Sequence, residues 1–420
     1  MDDASLAYSS GDYATALKHY RQQVAQGNSE AEYQLGTMYA GGFGVVKNQT
    51  EANQWFLSAA EKDNSSGQIE IAKSYFEGNA VSQNYSLAKD YFKKAVKGGN
   101  LDANFYLGNI YHKALGVSGD INKAIEYYKT ADQANNGAAQ YYLSNMYLNG
   151  EGVSQDLSLA QSLMIKAADN GYASAQYNRA MDYKNADDHQ QAALWFERAA
   201  KQGHREAQYN LANAYDQGIG VDKDILKSFD WYKLAAEQGH VDAQYNLGNL
   251  YRNEGGIAVD YDQALKWMTS AAENGHIKAQ ADLGALYFIG VGVKVNYKKA
   301  IKWYTLSANQ GHVMAQFFLG NINRIGQGMI VDEVVALKWY TLAAEQNMPE
   351  AQNNLGYMYA NGQGTEKDYV KAHMWFNVSV HNDNFKAQNA VLFIESEMTT
   401  QQIEQAKVMA IDWLESHHIK

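Results

Sequence analysis

Small and apolar residues recur along the chain at the spacing of a helix that is buried on one side. An alanine stands four residues before a leucine and a tyrosine four residues after it, as in Ala243, Leu247 and Tyr251. Residues four apart lie on the same face of a helix. The residue after the leucine position is glycine, alanine or serine, which permits a neighbouring helix to approach closely. We call this predicted element helix A.

A second stripe of small and large residues follows each helix A and predicts a second helix, helix B. Ala264 is followed by a large pair, Trp267 and Met268, and then by Ala271 and Ala272. This spacing is again that of one helix face. Seven of the eight tryptophans occupy the first position of the large pair: Trp55, Trp195, Trp231, Trp267, Trp303, Trp339 and Trp375.

An aspartate or asparagine stands four residues before the alanine position of each helix B. Such side chains accept hydrogen bonds from the free amides of a first helical turn and offset the helix dipole. They predict the starts of eleven helices: Asp12, Asn48, Asn84, Asp120, Asp156, Asp188, Asp224, Asp260, Asn296, Asp332 and Asp368.

Paired glycines lie between helix A and helix B. One such run, Gly290 and Gly292 followed by Lys294, has the look of a phosphate-binding loop. A nucleotide loop would need a Gly-Lys-Ser/Thr string that opens a helix after a strand, and the sequence contains neither. Glycine at a helix end supplies a left-handed conformation. We therefore predict a turn here, and no cofactor.

The leucine positions are 36 residues apart, with one deletion between positions 179 and 192, and they recur about ten times. One hairpin cannot bury its apolar face, so such units must stack. The sequence predicts an all-α fold, a right-handed α/α superhelix or solenoid of about eleven 36-residue helical hairpins and a C-terminal capping helix. The predicted order is a capping hairpin at 1–28, repeats at 29–383 and a half-repeat with the capping helix at 384–420, in one continuous solenoid.

The capping helix is predicted from a start signal and a stripe. Thr399 and Gln402 have the spacing of a capping box. The apolar stripe that follows ends at Ala410 and Trp413, and we expect it to cover the last hairpin.

The segments 207–239 and 279–311 show the pattern A-x-x-x-L-G-x-x-Y-x-x-G-x-G-V, followed by the Asp or Asn, Trp-Tyr and Ala-Ala positions of helix B, with Ala212 and Ser307 as the two departures. This pattern resembles the Sel1-like repeat, a branch of the tetratricopeptide superfamily, over nearly the whole chain. The resemblance implies an adaptor built from α/α hairpins, often in bacterial envelope, secretion or host-contact proteins.

Composition narrows the classes of partner. The 420 residues carry a formal net charge of −11, one proline and no cysteine. Nucleic acid binding requires a basic stripe, which is missing, and a thiolate metal site requires cysteine. No apolar stretch approaches the roughly 20 residues that span a bilayer. The sequence starts without an apolar signal region, so we expect either a periplasmic or secreted protein whose signal peptide lies outside this sequence, or a cytoplasmic one.

Two patterns in the sequence are candidates for chemistry. His204, His240, His276 and His312 follow glycine in four consecutive repeats, but their spacing of about one helix diameter is too wide for one metal ion, so we predict turn residues. Ser86 and Lys89 match the S-x-x-K of penicillin-recognising enzymes, without the partner motifs. We predict no catalytic residue, no metal site and no enzyme activity.

The remaining candidate surface is helix A. In tetratricopeptide relatives helix A lines a concave groove, and the residues two before, one before and two after the leucine position face a bound peptide. Asparagine both donates to and accepts from an extended peptide, and tyrosine gives rigid contact area. The predicted protein-binding residues are Asn109, Asn145, Tyr177, Tyr209, Asn213, Tyr245, Asn249 and Asn321. The tyrosines also suit a purely structural role in packing repeats.

These observations favour a non-catalytic scaffold that binds a partner protein or an extended peptide in its concave groove. We expect a monomer with a neutral or basic partner, because acidic residues exceed basic ones by 46 to 35. We expect an exported bacterial factor that contacts host or envelope proteins and is associated with virulence. The alternatives are a β-lactam-binding or hydrolysing enzyme and a regulatory subunit of an intracellular signalling assembly.

Overall fold

Helices and turns make up the computed structural model, which describes residues 2–253 and 255–417; this part of the chain holds twenty-four helices and no strand. The chain divides into two compact units, Met1–Ala207 and Gln208–Lys420. In chain order the helices are α1 (Asp3–Ser9), α2 (Tyr13–Ala25), α3 (Ser29–Gly41), α4 (Gln49–Glu61), α5 (Ser65–Glu77), α6 (Tyr85–Lys97), α7 (Ala103–His112), α8 (Ile121–Gln133), α9 (Gly137–Asn149), α10 (Leu157–Asp169), α11 (Ala173–Asn185), α12 (His189–Lys201), α13 (Arg205–Gln217), α14 (Ile225–Glu237), α15 (Val241–Arg252), α16 (Tyr261–Glu273), α17 (Ile277–Ile289), α18 (Tyr297–Asn309), α19 (Val313–Ile325), α20 (Glu333–Glu345), α21 (Pro349–Asn361), α22 (Tyr369–His381), α23 (Ala387–Glu395) and α24 (Thr400–Ser416).

Consecutive helices pack as antiparallel hairpins, and within each unit one hairpin packs on the next. The pair α1 and α2 forms the first hairpin. Ten more hairpins follow from α3 to α22, with the odd-numbered helix as helix A and the even-numbered helix as helix B. Helices α23 and α24 complete the chain. The predicted all-α solenoid of eleven hairpins followed by a capping helix is therefore confirmed.

The side chains predicted to start helix B do so in all eleven hairpins. Asp260 Oδ1 accepts a hydrogen bond from the Gln263 amide at 3.0 Å, and Asp332 Oδ1 accepts one from the Val335 amide at 2.9 Å. The other nine caps, from Asp12 to Asp368, bond the first turn in the same way. The prediction succeeded because capping is decided by a few neighbouring residues.

The glycine run that looked like a phosphate loop is a turn. Gly290 ends α17 with a φ of +86°, and its amide donates to the Leu286 carbonyl at 2.9 Å. Gly292 also has a positive φ, and a Cβ there would lie 2.6 Å from the Cβ of Tyr261. The turn is thus held by a left-handed backbone and by close packing on the start of α16.

Helix A and helix B of a repeat meet at the small residue that follows the leucine position. At Gly320 an added Cβ would lie 2.6 Å from the ring of Tyr340, and at Gly356 it would lie 2.6 Å from the ring of Phe376. The second large residue of helix B therefore rests on the bare backbone of helix A. Fully buried examples of that residue are Phe92, Tyr128, Met268, Tyr340 and Phe376. The predicted close helix approach is confirmed.

In several repeats a buried glutamine ties helix A to two helices B. The Gln280 side-chain amide donates to the Ala272 carbonyl at the end of α16, and its oxygen accepts from Gln310 at the end of α18. Both bonds are also made by Gln176, Gln316 and Gln352. The relay satisfies polar groups in an otherwise apolar seam, where an unpaired group would be costly.

The C-terminal helix has the predicted start and packs on the last complete repeat. Thr399 and Gln402 form a capping box, and Ala406 and Ala410 are buried. The Trp413 ring meets the ring of Trp375 in an edge-to-face arrangement, with centroids 5.4 Å apart. An aromatic edge contact of this kind adds to the area that α24 buries against α22.

We expect Gly320→Val to lower the free energy of unfolding by roughly 1–3 kcal/mol, because the added branches overlap the Tyr340 ring. Gly320→Ala is the intermediate variant: its Cβ also lies 2.6 Å from the Tyr340 ring, but Ala212 occupies the equivalent position beside the buried Tyr232, so a single methyl group should cost less than the valine side chain. Chemical denaturation of the two variants measures the difference. Equal stability of the Val and Ala variants would contradict the close approach.

Candidate functional site

The candidate surface is formed by helix A of consecutive repeats, and its tyrosines pair with histidines of the next repeat. The ring of Tyr177 stacks on His204 with centroids 4.7 Å apart, and Tyr245 stacks on His276 at 4.3 Å. Tyr209 stacks on His240 at 4.2 Å. The three predicted tyrosines therefore each bridge two repeats, which is the structural role weighed from the sequence.

Each of these histidines also begins the next helix A. The Nδ1 atom of His276 accepts a hydrogen bond from the Ala279 amide at 3.0 Å, and His312 accepts one from Ala315 at 3.3 Å. His204 and His240 bond Ala207 and Ala243 in the same way. The sequence predicted turn residues here, and it missed that an imidazole takes the capping place that Asn28, Asn64 and Asn136 hold in other repeats.

The capping role requires a neutral imidazole, because a protonated Nδ1 cannot accept a hydrogen bond. Burial lowers the pKa of His204, His276 and His312 below the usual value. Nearby carboxylates oppose this shift: Asp242 Oδ1 lies 3.4 Å from Nε2 of His276. Burial is the larger effect, so the caps are intact at neutral pH.

Two of the predicted asparagines pair with buried tyrosine hydroxyls of helix B. The Tyr232 hydroxyl donates to Oδ1 of Asn213, and Asn246 of the next repeat bonds the same hydroxyl group. The Tyr340 hydroxyl donates to Oδ1 of Asn321 at 2.7 Å. These two asparagines therefore satisfy buried hydroxyls from their place on helix A, and any contact with a partner stays a prediction.

The other three predicted asparagines make no such pair. Asn109 is buried, and its Oδ1 has no hydrogen-bond partner among the described residues. Asn249 Oδ1 is likewise buried and unpaired, whereas Asn145 is half-buried. An unsatisfied buried oxygen is uncommon and calls for an explanation.

Two of the cavities on this surface in the second unit share Asn246 in their walls. The first has a volume of about 570 Å³ and lies between α13, α15 and α17, with Tyr209, Tyr245 and His276 in its wall. The second, about 340 Å³, lies between α13, α14 and α15 and is bordered by Tyr232 and Asn249 among others. Five of the predicted residues lie outside these two cavities: Asn109, Asn145, Tyr177, Asn213 and Asn321.

Ser86 and Lys89, the residues of the S-x-x-K match, lie on the first turn of α6 behind the Asn84 cap. Ser86 is exposed and Lys89 is half-buried. Among residues 2–253 and 255–417, no group of three or more His, Asp or Glu side chains is arranged to hold a metal ion.

Ten segments of the chain match the sequence model of the Sel1 repeat. They are residues 29–64, 65–100, 101–133, 137–172, 173–204, 205–240, 241–276, 277–312, 313–348 and 349–379. The chain belongs to the Sel1 repeat family. Sel1 repeat proteins generally serve as scaffolds for protein–protein interaction.

Solved Sel1 structures resemble this chain over long stretches. The crystal structure of c5321, a protective antigen present in uropathogenic Escherichia coli strains that displays an SLR fold, is 31% identical, covers 95% of this chain and 94% of its own, and has a TM-score of 0.58. A Sel1 repeat protein from Oxalobacter formigenes is 32% identical over 56% of this chain and 98% of its own, with a TM-score of 0.50. No curated protein gives a significant match to this Sel1 repeat chain. Over the residues that are described, none of the helices is both long and apolar enough to cross a membrane.

We expect His312→Asn to reduce the dependence of stability on pH. The lowered pKa of His312 means that the unfolded chain binds more protons than the folded chain as the pH falls below about 6.5. The stabilising cap is complete above that pH and is lost as the pH falls through the folded-state pKa. Asparagine keeps the cap without titrating. Residue 281, which is equivalent to the Tyr245 that stacks on His276, is alanine, so the substitution removes no tyrosine stack.

The measurement is the thermal unfolding midpoint of wild type and His312→Asn at about pH 8 and about pH 5. The variants should match at the higher pH, and the Asn variant should be the more stable by up to about 1 kcal/mol at the lower pH. A constant difference at both pH values would show that His312 does not cap through its neutral form.

We expect Asn213→Ala to lower the free energy of unfolding by about 1 kcal/mol, because the buried Tyr232 hydroxyl loses the Asn213 oxygen and keeps Asn246 as a partner. Adding Tyr232→Phe removes the hydroxyl that has lost this acceptor, so the double variant should recover part of the loss. Chemical denaturation of the two single variants and the double variant forms a mutant cycle. Strictly additive effects would show that the pair is not coupled.

Proposed function

We propose that this protein is a non-catalytic scaffold that binds an extended segment of a partner protein along its helix A surface. Support comes from the general role of Sel1 repeat proteins and from the composition of this surface, where tyrosine and asparagine of successive repeats stand side by side. Tyrosine offers large contact area at low entropic cost, and asparagine offers both a donor and an acceptor.

The observation that carries the proposal is the cavity of about 570 Å³ between α13, α15 and α17. Its wall combines Tyr209 and Tyr245 with Asn246, Asn274 and His276. Three consecutive helices A contribute to it, so a ligand seated there would contact several repeats. A surface assembled from successive repeats suits an extended chain better than a compact small molecule.

The partner that fits is neutral or basic. The net charge of −11 repels an acidic partner at long range. Near the first turns of helix A stand Glu30, Asp102, Glu206, Asp242 and Glu350, which would disfavour a free terminal carboxylate. We propose that the protein acts as a monomer, with residues 1–28 and 384–420 closing the ends of the repeat array at 29–383.

We further propose that the protein is exported to the periplasm or secreted. The similarity to c5321, which is described as a protective antigen of uropathogenic strains, supports this placement. Export would bring the helix A surface into contact with envelope or host proteins.

A phage-displayed library of unstructured peptides, selected on the full chain, tests the binding surface. Enriched peptides are synthesised with a photoreactive side chain, and the cross-linked positions are mapped by mass spectrometry. We expect the cross-links on helix A and its flanking turns, including the residues around the cavity between α13, α15 and α17.

The outer face of helix B serves as the internal control, because Leu194, Leu234 and Leu306 are exposed there and offer apolar surface of another kind. Cross-links confined to that face, or a library that yields no binding peptide, would contradict the proposed surface.

A further inference from the structure

Exposed aliphatic side chains recur on the turns between helix A and helix B in three consecutive repeats of the second unit. These turns follow α15, α17 and α19. Six such residues, between 39% and 90% exposed, are called the turn strip here: Val259, Ile289, Val295, Ile325, Ile330 and Val331. A contiguous exposed apolar patch on a folded protein marks an interaction site, whereas single exposed apolar residues need no explanation.

The turns of the strip are rigidly joined to the preceding repeat, so they form one surface. The turn after α17 rests on the start of α16, where a Cβ added at Gly292 would lie 2.6 Å from the Cβ of Tyr261. The turn after α19 rests on α18 in the same way. Gly328 meets Tyr297, and Nε2 of Gln327 donates to the Tyr297 hydroxyl at 3.1 Å. Equivalent residues of the strip therefore recur at about one helix diameter, roughly 10 Å.

The three valines of the strip stand twelve residues after the leucine position, directly before the cap of helix B. In five other repeats this position is polar: Lys47, Gln83, Gln155, Lys223 and Lys367. Gln83 donates from Nε2 to the Phe76 carbonyl near the end of α5 at 3.0 Å, and Gln155 donates to the Leu148 carbonyl near the end of α9 at 2.8 Å.

A valine cannot donate the bond that these glutamines give to a carbonyl at the end of helix A, where the last carbonyls have no partner within the helix. Three consecutive repeats thus give up a capping bond and expose an apolar group instead. Both changes are unfavourable for the isolated chain, which favours a role in contact with a partner.

The spacing of the strip indicates the secondary structure of that partner. The valine position recurs about every 10 Å, and seven residues of an α-helix rise about 10.5 Å and return to nearly the same face. Side chains on one face of a β-strand are about 6.8 Å or about 13.6 Å apart, so a strand fits poorly. One amphipathic helix lying across the three turns would contact each of them with its apolar stripe.

The charges beside the strip change sign from repeat to repeat. Within four residues of the three valines, in chain order, the charged residues are acidic, then basic, then acidic: Asp260 and Asp262; Lys294, Lys298 and Lys299; Asp332 and Glu333. A helix that carries basic, acidic and basic groups in turn complements this order. Acidic groups at both ends of the strip disfavour an anionic lipid surface.

We propose that the turn strip is a second docking surface, and that it takes an amphipathic helix of a partner protein. Apolar residues of that helix, seven apart, contact Val259, Val295 and Val331, and its basic, acidic and basic groups face the charges of the three turns. The strip lies on the turns and not on the helix A surface, so this inference goes beyond the proposed function and does not depend on it.

Val295→Gln tests whether this valine is retained for docking. The variant gives the end of α17 the side chain that Gln83 and Gln155 supply to α5 and α9, so the unfolding midpoint should stay unchanged or rise. Gln155→Val is the reverse change in a polar repeat and should lower the midpoint. A lower midpoint for Val295→Gln would show that the fold itself needs the valine, and would overturn the inference.

Docking is measured by fluorescence anisotropy with a labelled, stapled helical peptide of about 18 residues, long enough to cross three turns. Its leucines repeat every seven residues, and its charges run basic, acidic, basic. Wild type should bind it about tenfold more tightly than a peptide with every charge reversed, and Val295→Gln should weaken binding about tenfold. Gln155→Val is the control and should bind as wild type does. Equal binding of the two peptides, no binding of either, or full binding by Val295→Gln would overturn the inference.

The same variant separates the other occupants of the strip. Sedimentation equilibrium of the full chain over a concentration series reports a second copy, and co-sedimentation with vesicles of phosphatidylcholine and phosphatidylserine reports a lipid surface. We expect a monomer and no vesicle binding. A dimer or a vesicle-bound fraction that Val295→Gln abolishes would assign the strip to that occupant and overturn the helix.

Discussion

The contact between helix A and helix B at a residue with almost no side chain is the constraint on which the structure depends. A glycine such as Gly284 lets the Tyr304 ring lie against the helix A backbone, with no room for a larger group between them. Helices that approach this closely bury their alanines, such as Ala279 and Ala300, which a wider spacing would leave in poor contact. This contact recurs from repeat to repeat and accounts for the period of the sequence.

Most buried polar side chains between the helices form hydrogen bonds with neighbouring helices. Gln280 bonds the end of one helix B and receives a bond from another, and Ser307 donates to the Ile277 carbonyl across the same hairpin. One repeat lacks this bond: Asn274 donates to the Ser270 carbonyl of its own helix, and the Gln244 oxygen is left unpaired among the described residues, although Asn382 at the equivalent place bonds Gln352.

The sequence predicted the parts of this structure that local chemistry decides. Capping by Asp260 depends on residues within one turn, and the turn at Gly290 depends on one backbone conformation, so both could be predicted without knowing the neighbouring helices. The stacking of Tyr245 on His276 could not, because it joins residues 31 apart whose register is fixed only when two repeats pack. The sequence did contain a signal, because the tyrosines and the histidines recur with the same 36-residue period. The period alone does not show which side chains of neighbouring repeats come into contact.

The candidate site was predictable as a surface and not as a set of interactions. The eight predicted residues occupy two equivalent positions on helix A, yet residues at an equivalent position do not all make the same contacts. Asn213 and Asn249 are equivalent in sequence, and they differ because helix B presents a tyrosine to one and a methionine to the other. The informative comparison is therefore between equivalent residues in different repeats. An array that repeats one fold many times supplies its own controls: Asn109 and Asn249, at the position of Asn213, each have an unpaired side-chain oxygen among the described residues, although helix B presents Tyr128 to the first and Met268 to the second.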